Sequence, residues 1–388
     1  MALVPEIVAG ETEMRGWRRH LHAHPETAFE EHDTARFVAE KLADFGLEVH
    51  RGLAGTGVVG TLRVGEGPSI GLRADLDALG FEEANDFPHR STRPGKMHAC
   101  GHDGHTTMLL GAAGYLAATR RFRGTVHVIF QPAEENEAGG QVMVEQGLFD
   151  RFPVDRVYGL HNWPGLPVGR MAIREGPMMA ACDLFEITIE GRGCHAAMPH
   201  LGTDVVLAAG AVVTALHTLP GRVLDPQDAA VLSVTQVHAG DTWNVLPARA
   251  VLRGTVRAFA ERVQDALQAA IGATAGAVAA AHRCTADVRY DRRYPATVND
   301  ADAARRAAAA AVALLGEAAV DRGPTPSMGS EDFAFMLRER PGCYVWLGNG
   351  PTDDGRVLHN PRYDFNDDVL AIGASWWATL VERELPAG

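Results

Sequence analysis

Leu184-Phe185-Glu186-Ile187-Thr188-Ile189 alternates apolar and polar side chains, the period of a strand with one buried and one wetted face. The residues downstream decide the kind of unit this strand opens. Asp204 to Leu219 reads as an apolar helix, Val231 to Val237 and Val245 to Val256 as strands, Glu261 to Ala281 as an Ala-rich helix and Thr285 to Tyr290 as a short last strand. That order, β-α-β-β-α-β, is the ferredoxin-like arrangement, so residues 183–292 are expected to form a compact α+β domain of their own.

Outward from this segment the texture changes on both sides. Upstream, Phe37, Val38, Leu42 and Phe45 give an apolar face and predict a helix from Trp17 to Leu47, with Gly46 as its stop. Strands come next at 57–64 and 69–74, then a helix through Met108, Leu109, Leu110, Ala113 and Leu116, then strands at 126–130 and 157–160. Downstream of Pro295 the alternation resumes with a helix over 303–315, a strand over 342–347 and a final amphipathic helix through Trp376, Trp377 and Leu380. Strands alternating with helices predict an α/β domain built from residues 1–182 and 293–388, into which the small domain is inserted. Functional groups collect at the strand ends of such sheets.

Those ends carry the chemistry. Met97-His98-Ala99-Cys100-Gly101-His102-Asp103-Gly104-His105 reads as a strand-to-helix corner with a metal-site composition. Cys100 and His102 are two apart, so in an extended segment both leave one face and reach one ion or two adjacent ions. Gln131-Pro132-Ala133-Glu134-Glu135 sets adjacent carboxylates directly after the strand at 126–130, and His161 ends the strand that begins at Val157. With seventeen histidines in the chain, position counts for more than identity. His359, in a Gly/Asp/Pro-rich loop, is the natural fifth donor. Thiolate, imidazole and carboxylate donors suit Zn, Mn, Co or Ni, and five ligands exceed one tetrahedral site, which points to a pair of divalent ions. Glu134, beside the ligand Glu135, is the expected general base. The two glutamates also read as solvated or helix-start acids, and Ser330-Glu331-Asp332 as an N-cap with acids in the first turn.

Composition excludes more than it assigns. The 388 residues, 46% hydrophobic and 22% charged, are ordinary for a globular chain of two domains. A net charge of −13, without a Lys/Arg cluster interleaved with aromatics, gives a nucleic-acid role no support. Residues 1–14 lack a basic segment followed by an apolar run, and no stretch reaches the length of a membrane span. Five scattered cysteines do not make a disulfide framework, so a cytoplasmic protein is expected.

Six segments, in order along nearly the whole chain, carry a resemblance: 97–105, Phe130-Gln131-Pro132-Ala133-Glu134-Glu135, Gly159-Leu160-His161-Asn162-Trp163-Pro164, 191–200, Asn244-Val245-Leu246-Pro247 and Gly329-Ser330-Glu331-Asp332-Phe333. Together they resemble the metal-dependent aminoacylases and carboxypeptidases of peptidase family M20, specifically the hippurate hydrolase and N-acyl-amino-acid amidohydrolase branch. The resemblance implies a metallopeptidase-like catalytic domain with a central mixed sheet flanked by helices and two divalent metals. It also implies that the inserted domain is a lid through which a homodimer or higher homo-oligomer forms. Residue by residue, it implies Cys100, His102, Glu135, His161 and His359 as ligands and Glu134 as catalytic base. His195 would polarise the scissile carbonyl or steady the oxyanion, and Asn244 and Arg257 would hold the substrate's carboxylate.

The chain departs from the family pattern twice. Arg73-Ala74-Asp75 stands where the wider clan carries His-x-Asp, so the metal site is expected to be rebuilt around Cys100 and His102. Cys194 stands beside His195 where the branch has Gly, and is expected to alter lid packing or narrow the substrate range. The reaction implied is hydrolysis of an N-acyl amino acid, hippurate-like or N-acetyl, to a carboxylate and a free amino acid. Oxidation of a thiolate ligand by peroxide is expected to cost metal and activity. Two alternatives stand beside it: a dipeptidase or aminopeptidase of the same clan, which requires a free α-amino group, and a non-catalytic metal- or metabolite-binding protein, which has no need of Glu134.

Overall fold

A computed structural model describes residues 1–352 and 355–387. Two compact units make up the chain: Met1–Met178 with Val298–Thr325 and the stretch from Asp332 onward, and Met179–Thr297 with Pro326–Glu331. The first is built on an eight-stranded sheet in the order Glu48–Leu53, Gly57–Val64, Gly124–Gln131, Ser69–Asp75, Arg156–Pro164, Gly342–Gly350, Met171–Ala172, Val320–Asp321. Strands 124–131, 69–75, 156–164 and 342–350 run parallel, so their C-terminal ends share one edge. The strands outside them include antiparallel neighbours, which makes the sheet mixed. Gly342–Gly350 is buried at every position, as a central strand covered on both faces must be.

Two expectations about helices need correction. The single helix expected over 17–47 is two helices, Glu11–Ala23 and His32–Asp44. Pro25 is the cause, because its ring disfavours helical backbone at the residue before it, and His24 sits at φ −125° and ψ 53°. The last helix, Leu370–Glu384, is buried almost all round rather than amphipathic, since it packs between His102–Thr119 and Ala301–Leu315.

One ionic network braces the first of these helices. Arg18, 1% exposed, donates to Asp367 Oδ1 at 2.6 Å and Asp364 Oδ1 at 2.7 Å. His22 lies between Asp103 Oδ2 at 2.8 Å and Glu83 Oε1 at 3.2 Å. Burial alone would lower the His22 pKa, but hydrogen bonds to Asp103 and Glu83 push it up to about 9. A raised histidine pKa stabilises the fold fully below its ordinary 6.5, and that contribution disappears as pH rises through 9. The excess unfolding free energy of wild type over His22→Asn, from urea melts, should therefore shrink by about 3 kcal/mol across that window. A pH-independent difference would show that His22 is neutral.

The second unit holds a four-stranded antiparallel sheet in the order Ala230–Ala239, Arg249–Ala258, Ala181–Glu190, Thr285–Tyr294. Helices Val205–Leu216 and Glu261–Ala281 complete the ferredoxin-like pattern. Phe185, Ile187 and Ile189, every second residue of one strand, share a core with Leu267, Ile271 and Ala275, every fourth residue of the long helix. The strand expected from Val245 to Val256 is broken at Pro247: Val245–Leu246 turns away to pair with Cys194–His195, and Arg249–Ala258 stays in the sheet. This unit is also wider than 183–292. Pro326–Glu331 joins it because the Ala180 N–H donates to Ser327 O and Gly329 O, and Arg257 Nη1 donates to Ser330 Oγ at 2.9 Å. No helix among the described residues is long and apolar enough to cross a membrane.

Candidate metal centre

Gly101 makes the corner. Its φ is 91°, and a Cβ there would fall onto Asn162 Nδ2 and the Tyr363 hydroxyl. Cys100 and His102 are thus not two residues of one extended segment, as spacing alone implied. Gly101 turns the chain between them, and His102 opens the helix His102–Thr119. Gly101→Ala is expected to destabilise the protein by roughly 3 kcal/mol and to lower its metal content. Urea unfolding and elemental analysis check this, and no change in either would refute the role of the turn.

The parallel strands then bring the remaining donors to the same edge. Cys100 Sγ lies 3.4 Å from His161 Nε2, and His359 Nε2 lies 3.0 Å from Glu135 Oε1. Backbone carbonyls orient two of the rings: His161 Nδ1 donates to Asn162 O at 2.6 Å and His102 Nδ1 to Asp77 O at 2.9 Å, which leaves each Nε2 facing inward. Donor atoms lie within 4.8 Å of one another in overlapping sets, among them Cys100/His102/His161, Cys100/Glu135/His359 and His102/Glu134/Glu135, with Asp75/His102/His105 adjoining through His102. The five sequence-predicted ligands and Glu134 are therefore together, and Cys100 belongs to two of the sets.

The donor set fits a cation. His102 Nε2 is buried with no hydrogen-bond partner among the described residues. Burial, with Glu135, Glu134 and Asp75 close by, raises the Cys100 thiol pKa well above its ordinary value. Burial opposes charge on His102, yet Asp75 and Asp77 raise its pKa to about 10. Burial and the neighbouring His105 lower the His161 pKa well below the usual histidine value. A buried thiol and carboxylates at this density call for positive charge.

Several supporting residues escaped sequence reasoning. Asp75 accepts His105 Nδ1 at 2.7 Å and Arg73 Nη1 at 2.8 Å, so it is spent on a histidine and a guanidinium. His105 Nε2 in turn accepts the Asn162 N–H at 2.9 Å. Asn162, the neighbour of His161, donates through Nδ2 to Cys100 O at 2.7 Å and accepts the Tyr363 hydroxyl at 2.7 Å. Asp332 is not flanked by a Ser330 cap as expected. Its carboxylate reaches inward to Arg73 Nη2 at 3.0 Å, Gln131 Nε2 at 2.8 Å and the Gly140 N–H at 2.7 Å. Arg73, Asp75, His105, Asn162 and Asp332 all stand in segments the sequence singles out, but nothing in the sequence signalled these contacts among them.

Within the second unit, His195 pairs with Val245, and the Ala196 N–H donates to Asn244 O at 2.9 Å, so His195 and Asn244 share one exposed end. Arg257 does not join them. It lies eight residues along the strand from Arg249, roughly 27 Å toward the other end, so Asn244 and Arg257 of one chain cannot grip the same carboxylate. The Cys194 sulfur packs over Gly202, where a Cβ would come within 2.6 Å of Sγ.

Residues 71–383 match Peptidase family M20/M25/M40. The chain is 38% identical over 386 residues to the hippurate hydrolase of Campylobacter jejuni, covering 99% of this chain and 100% of that one. It is 38% identical over 376 residues to the N-acetyl-L-cysteine deacetylase of Bacillus subtilis, covering 95% and 86%. The crystal structure of the Bacillus subtilis YXEP protein, a dinuclear metal-binding peptidase from the M20 family, is similar at a TM-score of 0.85 and 34% identity, over 97% of this chain and 99% of that one. Likeness of this depth, sustained over whole chains, reaches far beyond the metal corner to both units. The chain belongs to peptidase family M20 and is a metal-dependent amidohydrolase.

Proposed function

We propose that the protein hydrolyses the amide bond of N-acyl amino acids, hippurate-like or N-acetyl, to a carboxylate and a free amino acid. The observation that carries this reading is Glu134, a buried carboxylate whose oxygen lies within 4.8 Å of ligand atoms of His102 and Glu135. The hippurate hydrolase and N-acetyl-L-cysteine deacetylase relatives support the substrate class. Two divalent ions, Zn, Mn, Co or Ni, bound by Cys100, His102, Glu135, His161 and His359, would supply Lewis acidity toward water and the scissile carbonyl. Glu134 takes a proton from the attacking water and returns it to the departing nitrogen. His195 stabilises the oxyanion as charge develops.

Asn244 and Arg257 hold the substrate carboxylate. Since they stand at opposite ends of the second unit, they serve one carboxylate from two subunits, in a homodimer formed through that unit. Exposed Met198, Leu201, Leu207 and Trp243, clustered in sequence around the His195–Asn244 end, supply apolar surface for such an interface. In this reading the unit built on the eight-stranded sheet is the catalytic domain and the ferredoxin-like unit the lid, and a reducing cytoplasm suits the thiolate ligand.

The test is amine release from a panel of N-acyl amino acids and matching dipeptides, with metal content measured on the same sample. Turnover of acyl substrates by protein holding about two equivalents of metal is expected. Turnover of dipeptides alone would move the enzyme to the peptidases, and bound metal without turnover of either would favour a binding protein.

A further inference from the structure

We propose that Glu31 is a positioning residue for Glu134, fixing through the Ala133 N–H the backbone turn that aims the general base. The inference rests on the reading of Glu134 as that base. Past the strand Gly124–Gln131 the chain turns at Ala133, which is fully buried and has φ 54°, the left-handed region that a residue with a Cβ avoids. A turn of this kind persists only where its surroundings hold it. Glu31 Oε1 accepts the Ala133 N–H at 2.9 Å and also the N–H of Phe29, itself at φ 60°, at 3.1 Å. Glu31 Oε2 accepts the Thr56 hydroxyl at 2.6 Å.

The other side of Glu134 is gripped in the same way. The Glu135 N–H donates to Asp77 Oδ2 at 2.9 Å, and the Gly139 N–H closes the loop onto Ala133 O at 2.9 Å. Two carboxylates thus bracket the base by its flanking amides. Asp77 has a second task, since it also faces His102, 3.3 Å from Nδ1. The side-chain hydrogen bonds of Glu31 go to Phe29, Thr56 and Ala133, none of them a proposed ligand. A carboxylate at 0% exposure is costly to keep, and the two left-handed residues it secures are what it does there.

The acceptor matters here more than the charge. A glutamine accepts both amides through Oε1 while its amide group donates to the Thr56 oxygen, so E31Q should stay within about threefold of wild-type kcat, whereas E31L, similar in size with no acceptor, should lose on the order of 10²-fold. KM and metal content should not move in E31L, and hydrogen exchange at the Ala133 amide should accelerate. E31L/A133G should regain most of the lost kcat, because glycine adopts the turn unaided. If E31L does not fold, E31D keeps the charge, withdraws the acceptor by one methylene and carries the same expectation. Wild-type kcat in the variant that folds, or E31Q damaged as badly as E31L, overturns the proposal. E134Q is assayed alongside: if it stays active, the base assignment fails, whereas an inactive E134Q beside a fully active E31L and E31D removes the role of Glu31 alone.

Discussion

Glu134→Gln is expected to lower kcat on the order of 10³-fold while metal content and KM stay near wild type. Glu134 is 7% exposed and stands in the donor set with His102 and Glu135, so an amide of the same shape fits the site without opening a cavity. What the amide cannot do is take a proton from water and hand it to a leaving amine. The adjacent Glu135 offers the internal contrast. Its carboxylate oxygen lies 3.0 Å from His359 Nε2 and in a set with Cys100, so Glu135→Gln should lower metal content as well as rate. Steady-state kinetics on an acyl substrate, paired with elemental analysis, separates the two. Loss of metal from Glu134→Gln would make Glu134 a ligand, and full activity would remove it from the chemistry.

The donors Cys100, His102, Glu134, Glu135, His161 and His359 are legible in the sequence because each sits in a short motif next to a strand or corner that its own neighbours announce. What holds them is not legible, because it depends on register. Asp75 stands opposite Gln131 on a parallel strand, and both feed the buried hub of Arg73 and Asp332, residues far apart in sequence. The ferredoxin-like order is readable from periodicity, since alternation in Leu184–Ile189 and the Val263, Leu267, Ile271 spacing are local signals. Pro25 and Gly101 mislead for opposite reasons. The proline hides inside an otherwise helical pattern that it in fact breaks, and the glycine between two ligands passes for part of an extended segment when it makes the turn that joins them. Arg257 fails as a partner for Asn244 within one chain because strand direction, not sequence distance, sets where residues finish.

Cys100→Ser is expected to take metal content from about two equivalents to less than one and turnover to background, a larger loss than removal of His359. The asymmetry follows from position. Cys100 is common to the set with His102 and His161 and to the set with Glu135 and His359, whereas His359 belongs to the second alone and is 52% exposed at its side chain. A serine oxygen is smaller and harder than sulfur, and its proton leaves with far more difficulty, so it replaces neither the reach nor the charge of a thiolate. Fold loss is not the expected cause. Cys100 is held from behind by its own carbonyl, which accepts Asn162 Nδ2 at 2.7 Å, a bond the substitution leaves intact. The far-ultraviolet circular dichroism and urea midpoint of metal-free Cys100→Ser should therefore match those of metal-free wild type. Chelation of wild type should give the same inactive state reversibly, and peroxide should give it with metal and activity lost together. A Cys100→Ser enzyme that retains two equivalents and full turnover would show that imidazole and carboxylate suffice, and that the thiol packs beside the site without binding in it.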